Sequence, residues 1–236
     1  MNDLCAVFDI DDTLYVEREY VHSGFRAVSA WAQRWLGIRN FDEACWTEFE
    51  SGRRGTIFNR ALAASHIEAT PELLSAMVEL YRTHEPCIRL ATDASQMLKE
   101  ISGRYPIAVV SDGPLSAQSR KADALGLRSI ASPVILTETF GQQFRKPHVR
   151  AFHEVTRLVP ARHYVYVADN PVKDFIAPRQ LGWTTIRIRR PEGLYFSLES
   201  EPGADSDFEL TNCTGLIDLL DDARRGASSI TIPCTQ

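Results

Sequence analysis

The stretch AVFDIDDTLY, residues 6–15, is apolar until it sets three acids, Asp9, Asp11 and Asp12, within four positions. Like charges this close repel one another and resist burial, so acids at the mouth of a buried strand need a neutralising partner, most simply a metal ion. Two further apolar runs also end in polar residues: PIAVVSD (106–112) in Ser111 and Asp112, and HYVYVAD (163–169) in Asp169. Between them, FRKPH places Lys146 immediately before Pro147. Ligands in open α/β sheets bind at the carboxyl ends of the strands, so these residues form one candidate site. Residues two apart on a strand face the same way, and Asp9 and Asp11 can therefore address one substrate from one side.

The elements that must position these residues follow from the pattern of apolar runs. LCAVFDI (4–10), PIAVVSD, HYVYVAD and WTTIRIR (183–189), with SPVILT (132–137) as a weaker fifth, are near-continuous and short, as strands covered on both faces are. WTTIRIR brings no polar end comparable to the others. Helical patterns lie between the strands: LSAQSRKADALG, closed by Gly126 as a C-cap, and HVRAFHEVTRLV, entered through Pro147 and stopped by Pro160. The alternation predicts an α/β fold built on a doubly wound, mainly parallel Rossmann-like sheet.

Residues 15–90 offer no strand and far exceed the about 2 to 6 residues of an ordinary α/β connection. Helical spacing through Tyr20, Phe25, Val28, Trp31, Trp35 and Leu36, and again through Leu73, Leu74, Met77, Leu80 and Tyr81 after Pro71, predicts several helices with an aromatic core of their own. The expected division is an α/β core of residues 1–14 and 91–236 with an inserted α-helical cap domain of residues 15–90. The stretch 190–207, rich in Gly, Pro, Ser and acids, predicts an exposed arm. After it, DFELTNCTGLIDLLDDARR predicts a short edge strand and a closing helix capped by Asn212 or Thr214, with disorder over the last ten residues.

The order of these motifs resembles that of the haloacid dehalogenase superfamily of hydrolases. Asp9, Asp11 and Thr13 fit its DxDxT signature, Ser111 its hydroxyl residue after the second strand, Lys146 its lone lysine, and Asp169 with Asp174 its closing acidic motif. The resemblance covers residues 1–14 and 91–220, and the insertion is similar in position and helical character to the cap placed after the first motif. The closing motif departs from the common pattern, reading ADNPVKD with Asn170 after its first acid and Lys173 before its last.

The resemblance implies a Mg²⁺-dependent phosphatase acting on a small phosphomonoester. Asp9 and Asp11 would be catalytic; Asp9, Asp169 and the backbone carbonyl of Asp11 would hold the metal; Ser111, Asp112, Gly113 and Lys146 would form the phosphate subsite; Thr13, Asn170 and Asp174 would support them. The physical demand matches. A carboxylate approaching a phosphorus that bears anionic oxygens meets a repulsion of several kcal/mol at about 4 Å, which a divalent cation, a lysine and hydroxyl or N–H donors offset. Asp9 would attack while a protonated Asp11 serves the leaving oxygen, and Asp11 would then activate the hydrolytic water. Family members that cleave carbon–halogen or carbon–phosphorus bonds typically lack the second acid, so Asp11 points to a phosphate ester.

Taken singly, several of these residues have plainer readings. Asp12 and Asp112 read as turn or cap residues, and Thr13 as a brace of its loop. Asp174 reads either as a partner of the metal or of Lys146, or as an acid in the first turn of a helix begun at Pro171. Arg18, His22, Arg53, Arg54 and Arg60 read as a solvated helix face, and the histidines lack ligand spacing. With 44% apolar and 24% charged residues and a net charge of −5, the composition is globular and argues against nucleic acid or anionic lipid as partner. No stretch approaches the roughly 20 apolar residues of a membrane helix, and the start lacks a basic signal-like region, so a cytoplasmic monomer or homodimer acting on a small phosphorylated metabolite is expected. Five scattered cysteines predict free thiols. The rival functions are a phosphosugar mutase with the same two acids, a receiver domain, against which the chain order of the acids argues, and a non-catalytic phospho-binding relative.

Overall fold

In a computed structural model, which describes residues 1–225, six strands make one sheet: β1 (Asn2–Phe8), β2 (Ile107–Ser111), β3 (Val134–Leu136), β4 (Ala161–Ala168), β5 (Thr184–Ile188) and β6 (Phe208–Leu210). Their order is β3-β2-β1-β4-β5-β6 and every pairing is parallel. β1 and β4 are the central pair, in register from Asn2 opposite Ala161 to Phe8 opposite Val167. The chain winds outward from them in opposite directions, so the crevice beyond their carboxyl ends is the switch point of the sheet. The fold is therefore the doubly wound Rossmann-like one read from the strand pattern.

The helices are α1 (Glu17–Leu36), α2 (Phe41–Glu50), α3 (Ile57–Ala64), α4 (Pro71–Thr83), α5 (Thr92–Ile101), α6 (Leu115–Ala124), α7 (Arg150–Leu158), α8 (Ile176–Gln180) and α9 (Leu216–Arg225). The chain splits into two compact units, Met1–Glu17 with Arg89–Gln236, and Arg18–Ile88. In the first unit β1 is buried from Leu4 to Phe8, as apolar strands covered on both faces must be. One face packs Val7, Val110, Tyr166 and Ala168 against Phe152, Val155 and Phe175. In the second unit Phe25, Val28, Phe41, Phe49, Phe58, Leu62 and Met77 are buried, with Phe25 edge-on to both Phe49 and Phe58.

Several local details differ from the sequence reading. Trp35 keeps the helical spacing but is 64% exposed, because α1 ends at Leu36 and its last turn runs past the buried stripe. α7 opens at Arg150, not Pro147; a turn closed by the His148 N–H on the Arg145 carbonyl precedes it. α9 opens at Leu216, beyond both expected caps, and Asn212 instead accepts the Thr214 N–H in a local turn. Gly126 does end its helix in the left-handed region, at φ +66°. Thr70 caps α4 by accepting the Leu73 N–H, with Pro71 in the first turn.

Cys5, Cys45, Cys87 and Cys213 are free thiols, while Cys234 and the last ten residues lie outside the described residues. No helix among the described residues is long and apolar enough to cross a membrane.

Candidate active site

Parallel pairing brings the polar strand ends together. Asp9 follows β1 directly and its N–H donates to the Val167 carbonyl of β4, which sets it beside Asp169, the residue after β4. Asp9, Asp169 and Asp174 are all buried, and each offers a carboxylate oxygen to a cluster whose atoms lie within 4.8 Å of one another. Lys146 Nζ sits 3.1 Å from Asp9 and 2.7 Å from Asp174, and donates to the Tyr166 hydroxyl at 3.0 Å. Lys146 thus pairs with two of the three clustered carboxylates and not with Asp169.

The electrostatics follow from that imbalance. Burial, opposed by Lys146 and reinforced by Asp174, pushes the Asp9 carboxyl up to about 6. Burial and the neighbouring Asp174 and Asp9 charges push the Asp169 carboxyl well above the usual carboxylate range. Burial alone would lower the Lys146 ammonium, but Asp174 and Asp9 raise it well above its ordinary value, so it stays charged. Buried oxygen donors carrying surplus negative charge are the donor set that hard divalent cations take, and the cluster fits one.

Asp174 belongs to this cluster and not to a helix start. It is fully buried, accepts the Asn170 N–H at 3.0 Å, and α8 begins only at Ile176. Asn170 turns its own oxygen to the Val172 N–H, bending the loop so that Asp169 and Asp174 meet. The Asp11 carboxylate points elsewhere. Its Oδ1 accepts from Lys121 Nζ at 2.6 Å and from the Tyr15 hydroxyl, and its Oδ2 from Gln118 Nε2 at 2.7 Å. Burial would raise this carboxyl, but the Lys121 charge and the hydrogen bonds from Lys121, Tyr15 and Gln118 hold it below the usual range. Three donors thus stabilise its carboxylate form, the form that can take a proton from water.

The remaining predicted residues divide by role. Ser111 closes β2 with its hydroxyl buried and without a hydrogen-bond partner among the described residues; the Thr13 hydroxyl is in the same state. Asp112 turns its carboxylate to the Thr137 hydroxyl (2.5 Å), the Lys146 N–H (3.2 Å) and Lys173 Nζ (3.3 Å), so its side chain braces the loop and leaves only its backbone for an anion. Gly113 has φ +141°, and a Cβ there would stand 2.7 Å from Gln118 Nε2. Glycine is thus what lets the Gln118 clasp close on Asp11. Asp12, at φ +50°, caps α1 by accepting the Glu17 N–H at 2.8 Å, as a turn or cap residue should.

Four contributors carried no motif. Lys121 and Gln118, three apart on α6, share a helix face, but nothing in the sequence says that this face meets Asp11. Tyr166 and Arg187 lie inside strands read as plain apolar runs, yet Arg187 Nε donates to the Asp169 carbonyl at 3.0 Å.

A parallel sheet wound both ways from β1 and β4, with carboxylates gathered at its switch point, defines a Rossmann-like α/β enzyme. The chain belongs to the haloacid dehalogenase-like hydrolases, whose family profile matches residues 4–182. It is 27% identical over 229 residues to the glyceraldehyde 3-phosphate phosphatase of Methanocaldococcus jannaschii, covering 93% of this chain and 97% of that protein. Among solved structures it is similar to the magnesium-bound HAD-hydrolase YfnB from Bacillus subtilis, at 17% identity and TM-score 0.68 over 94% of this chain and 100% of that one. It is also similar to the L-2-haloacid dehalogenase from Xanthobacter autotrophicus, at 19% identity and TM-score 0.61 over 94% and 99% of the two chains. These structural likenesses show the fold.

Proposed function

We propose that this hydrolase is a Mg²⁺-dependent phosphatase that cleaves a small phosphomonoester through an aspartyl-phosphate on Asp9. The carrying observation is the cluster of Asp9, Asp169 and Asp174 around Lys146, beside the partnerless Ser111 hydroxyl. Asp9, Asp169 and Asp174 would hold the ion, with Asp11 joining only through its backbone carbonyl, and the ion would supply positive charge to the phosphoryl oxygens. Lys146, Ser111 and the N–H groups at Asp112 and Gly113 would hold those oxygens while the Asp9 carboxylate attacks phosphorus.

Asp11 closes the proton cycle. In its acid form it gives a proton to the leaving oxygen and becomes the carboxylate that Lys121, Gln118 and Tyr15 stabilise; as that carboxylate it takes a proton from the water that hydrolyses the aspartyl-phosphate. The presence of Asp11 also separates this site from carbon–halogen chemistry, despite the dehalogenase neighbours. The helical insertion, residues 15–90, is read as the cap that chooses the ester. The name of the archaeal relative makes glyceraldehyde 3-phosphate and other small phosphorylated metabolites the first substrates to try.

The test is phosphate release from a panel of such esters, with Mg²⁺ and with EDTA, on wild type and Asp9→Asn. Metal-dependent turnover that drops at least about a thousandfold in the variant is the expected result. Turnover that survives Asp9→Asn would overturn the nucleophile. Interconversion of phosphosugars that depends on a bisphosphate, in place of phosphate release, would favour a mutase.

A further inference from the structure

The chain has only four lysines among its 26 lysine and arginine residues, and three of the four meet an acid of the site. Lys121 Nζ lies 2.6 Å from Asp11 and Lys146 Nζ 2.7 Å from Asp174, the distances of tight charge-assisted hydrogen bonds. Lys173 Nζ lies 3.3 Å from Asp112 Oδ2, longer than such a bond, and meets no other acceptor among the described residues. An ammonium has three donors, so Lys173 is the lysine of the site with charge and donors to spare. Asp112 fixes where that ammonium sits. Its Oδ1 accepts the Lys146 N–H at 3.2 Å while its Oδ2 takes Lys173, so one carboxylate joins the main chain of Lys146 to the Lys173 ammonium. Asp112 itself stands between Ser111 and Gly113, and Lys173 directly precedes Asp174 of the acid cluster. The Lys146 side chain is fully buried and that of Lys173 is 30% exposed, so Lys173 stands outward of Lys146, toward the solvent from which a substrate enters.

We propose that Lys173 is a specificity-determining residue that pairs with a carboxylate on the leaving group, so that the preferred substrate is the phosphate ester of a hydroxy acid. This rests on the phosphatase reading above. In that reading the ion, Lys146, Ser111 and the N–H groups take the phosphoryl oxygens, which leaves the outward ammonium to the part of the ester beyond them. A carboxylate brought into a site that already holds Asp9, Asp112, Asp169 and Asp174 is repelled by each, and it needs a cation with donors free. Lys146 and Lys121 are held by acids of their own. A lysine suits the task as a compact point charge on a flexible stem, able to keep Asp112 and take a second anion. A neutral leaving group offers it no charge to pair with.

The experiment compares glycerate 3-phosphate with glycerol 3-phosphate, and phosphoglycolate with ethyl phosphate, on wild type, Lys173→Met, Lys173→Gln, Lys173→Arg and Lys99→Met. Each pair differs at the carbon that carries the carboxylate, and inorganic phosphate serves as a competitive inhibitor without a leaving group. Lys173→Gln keeps a donor for Asp112 without the charge; Lys99, exposed on α5, meets none of the site's acids among the described residues. Wild type is expected to favour the acids, and Lys173→Met and Lys173→Gln to raise their KM about 10- to 100-fold, the scale of a lost hydrogen bond between charged groups. The KM of the neutral esters and the Ki of phosphate should hold in both variants, which also reports an intact site. Lys173→Arg should keep the preference, and Lys99→Met should change nothing. Three results overturn the proposal: a wild type without preference for the acids, a preference that survives either loss of the charge, or a phosphate Ki and neutral-ester KM that move as far as the KM of the acids. The last would make Lys173 a brace or a phosphoryl ligand. A wild type inert toward every phosphomonoester would instead sink the phosphatase reading, and this proposal with it.

Discussion

Around Asp9, three buried carboxylates cluster and Lys146 pairs with two of them; around Asp11, two residues further on, one carboxylate receives a lysine, a glutamine and a tyrosine. The first surrounding pushes Asp9 and Asp169 up and the second holds Asp11 down. The difference teaches that the two acids of one short motif are prepared for different partners. Asp9 and its neighbours carry surplus negative charge that a cation relieves, whereas Asp11 is satisfied by the protein itself and is available for proton transfer.

The largest effect expected from breaking this arrangement comes from Lys146→Met. It removes the ammonium from Asp9 and Asp174 and leaves buried charge unpaired, at a cost of about 3–5 kcal/mol in urea unfolding. A midpoint unchanged from wild type would show that Lys146 does not carry the cluster.

Mg²⁺ should act on the same surplus. At about a hundred times its dissociation constant it should add about 2.7 kcal/mol near pH 7.5. The increment should shrink with acid, and the sign follows from Asp9. Burial pushes its folded carboxyl up to about 6 from the ordinary aspartate value of 3.8, so between those values the folded state binds more protons than the unfolded one. Metal-free stability then falls as pH rises through that window, and protons compete with Mg²⁺ at its lower end. Thermal unfolding with Mg²⁺ and with EDTA at pH 5 and 7.5 checks this; an increment equal at both pH values would contradict it.

Asp174→Asn sharpens the comparison by asking which acids the ion uses. A fall of about 10- to 100-fold in Mg²⁺ affinity by calorimetry is expected, and an unchanged affinity would leave Asp174 as the partner of Lys146 alone. The smallest effect is expected at the Asp11 side. Lys121→Met should cost about 1–3 kcal/mol at pH 7. Asp11 has a depressed folded value, so its contribution is present above its unfolded value and is lost as pH falls through the folded one. The gap between wild type and variant should therefore close in acid; a gap that persists would assign the loss to packing.

Much of the fold was legible because a parallel sheet buried on both faces forces near-continuous apolar strands. β1, β2, β4 and β5 each begin and end within two residues of the apolar runs that announce them. The polar residues at the ends of β1, β2 and β4 were legible as one site for a topological reason, since parallel strands point all their carboxyl ends the same way. Trp35 shows the limit of periodicity, which marks a helix face but not how far along the helix that face stays covered. The arm over 190–207 shows another: its composition reads as exposed loop, while buried Arg187 in β5 and Arg190 at the arm's root fasten it down.

The sequence by itself determined the class of fold, the family, and the presence of Asp9, Asp11, Ser111, Lys146 and Asp169 at strand ends and loops, because period, apolarity and motif order are properties of the chain. Tertiary structure alone decided that Asp174 joins the acid cluster, that Asp112 is a brace, and that Lys121 and Gln118 donate to the Asp11 carboxylate. The physical reason is that a carboxylate's state depends on which charges and donors lie within a few ångströms of it. Residues 110 positions apart, such as Asp11 and Lys121, become neighbours only when the sheet and its helices have packed.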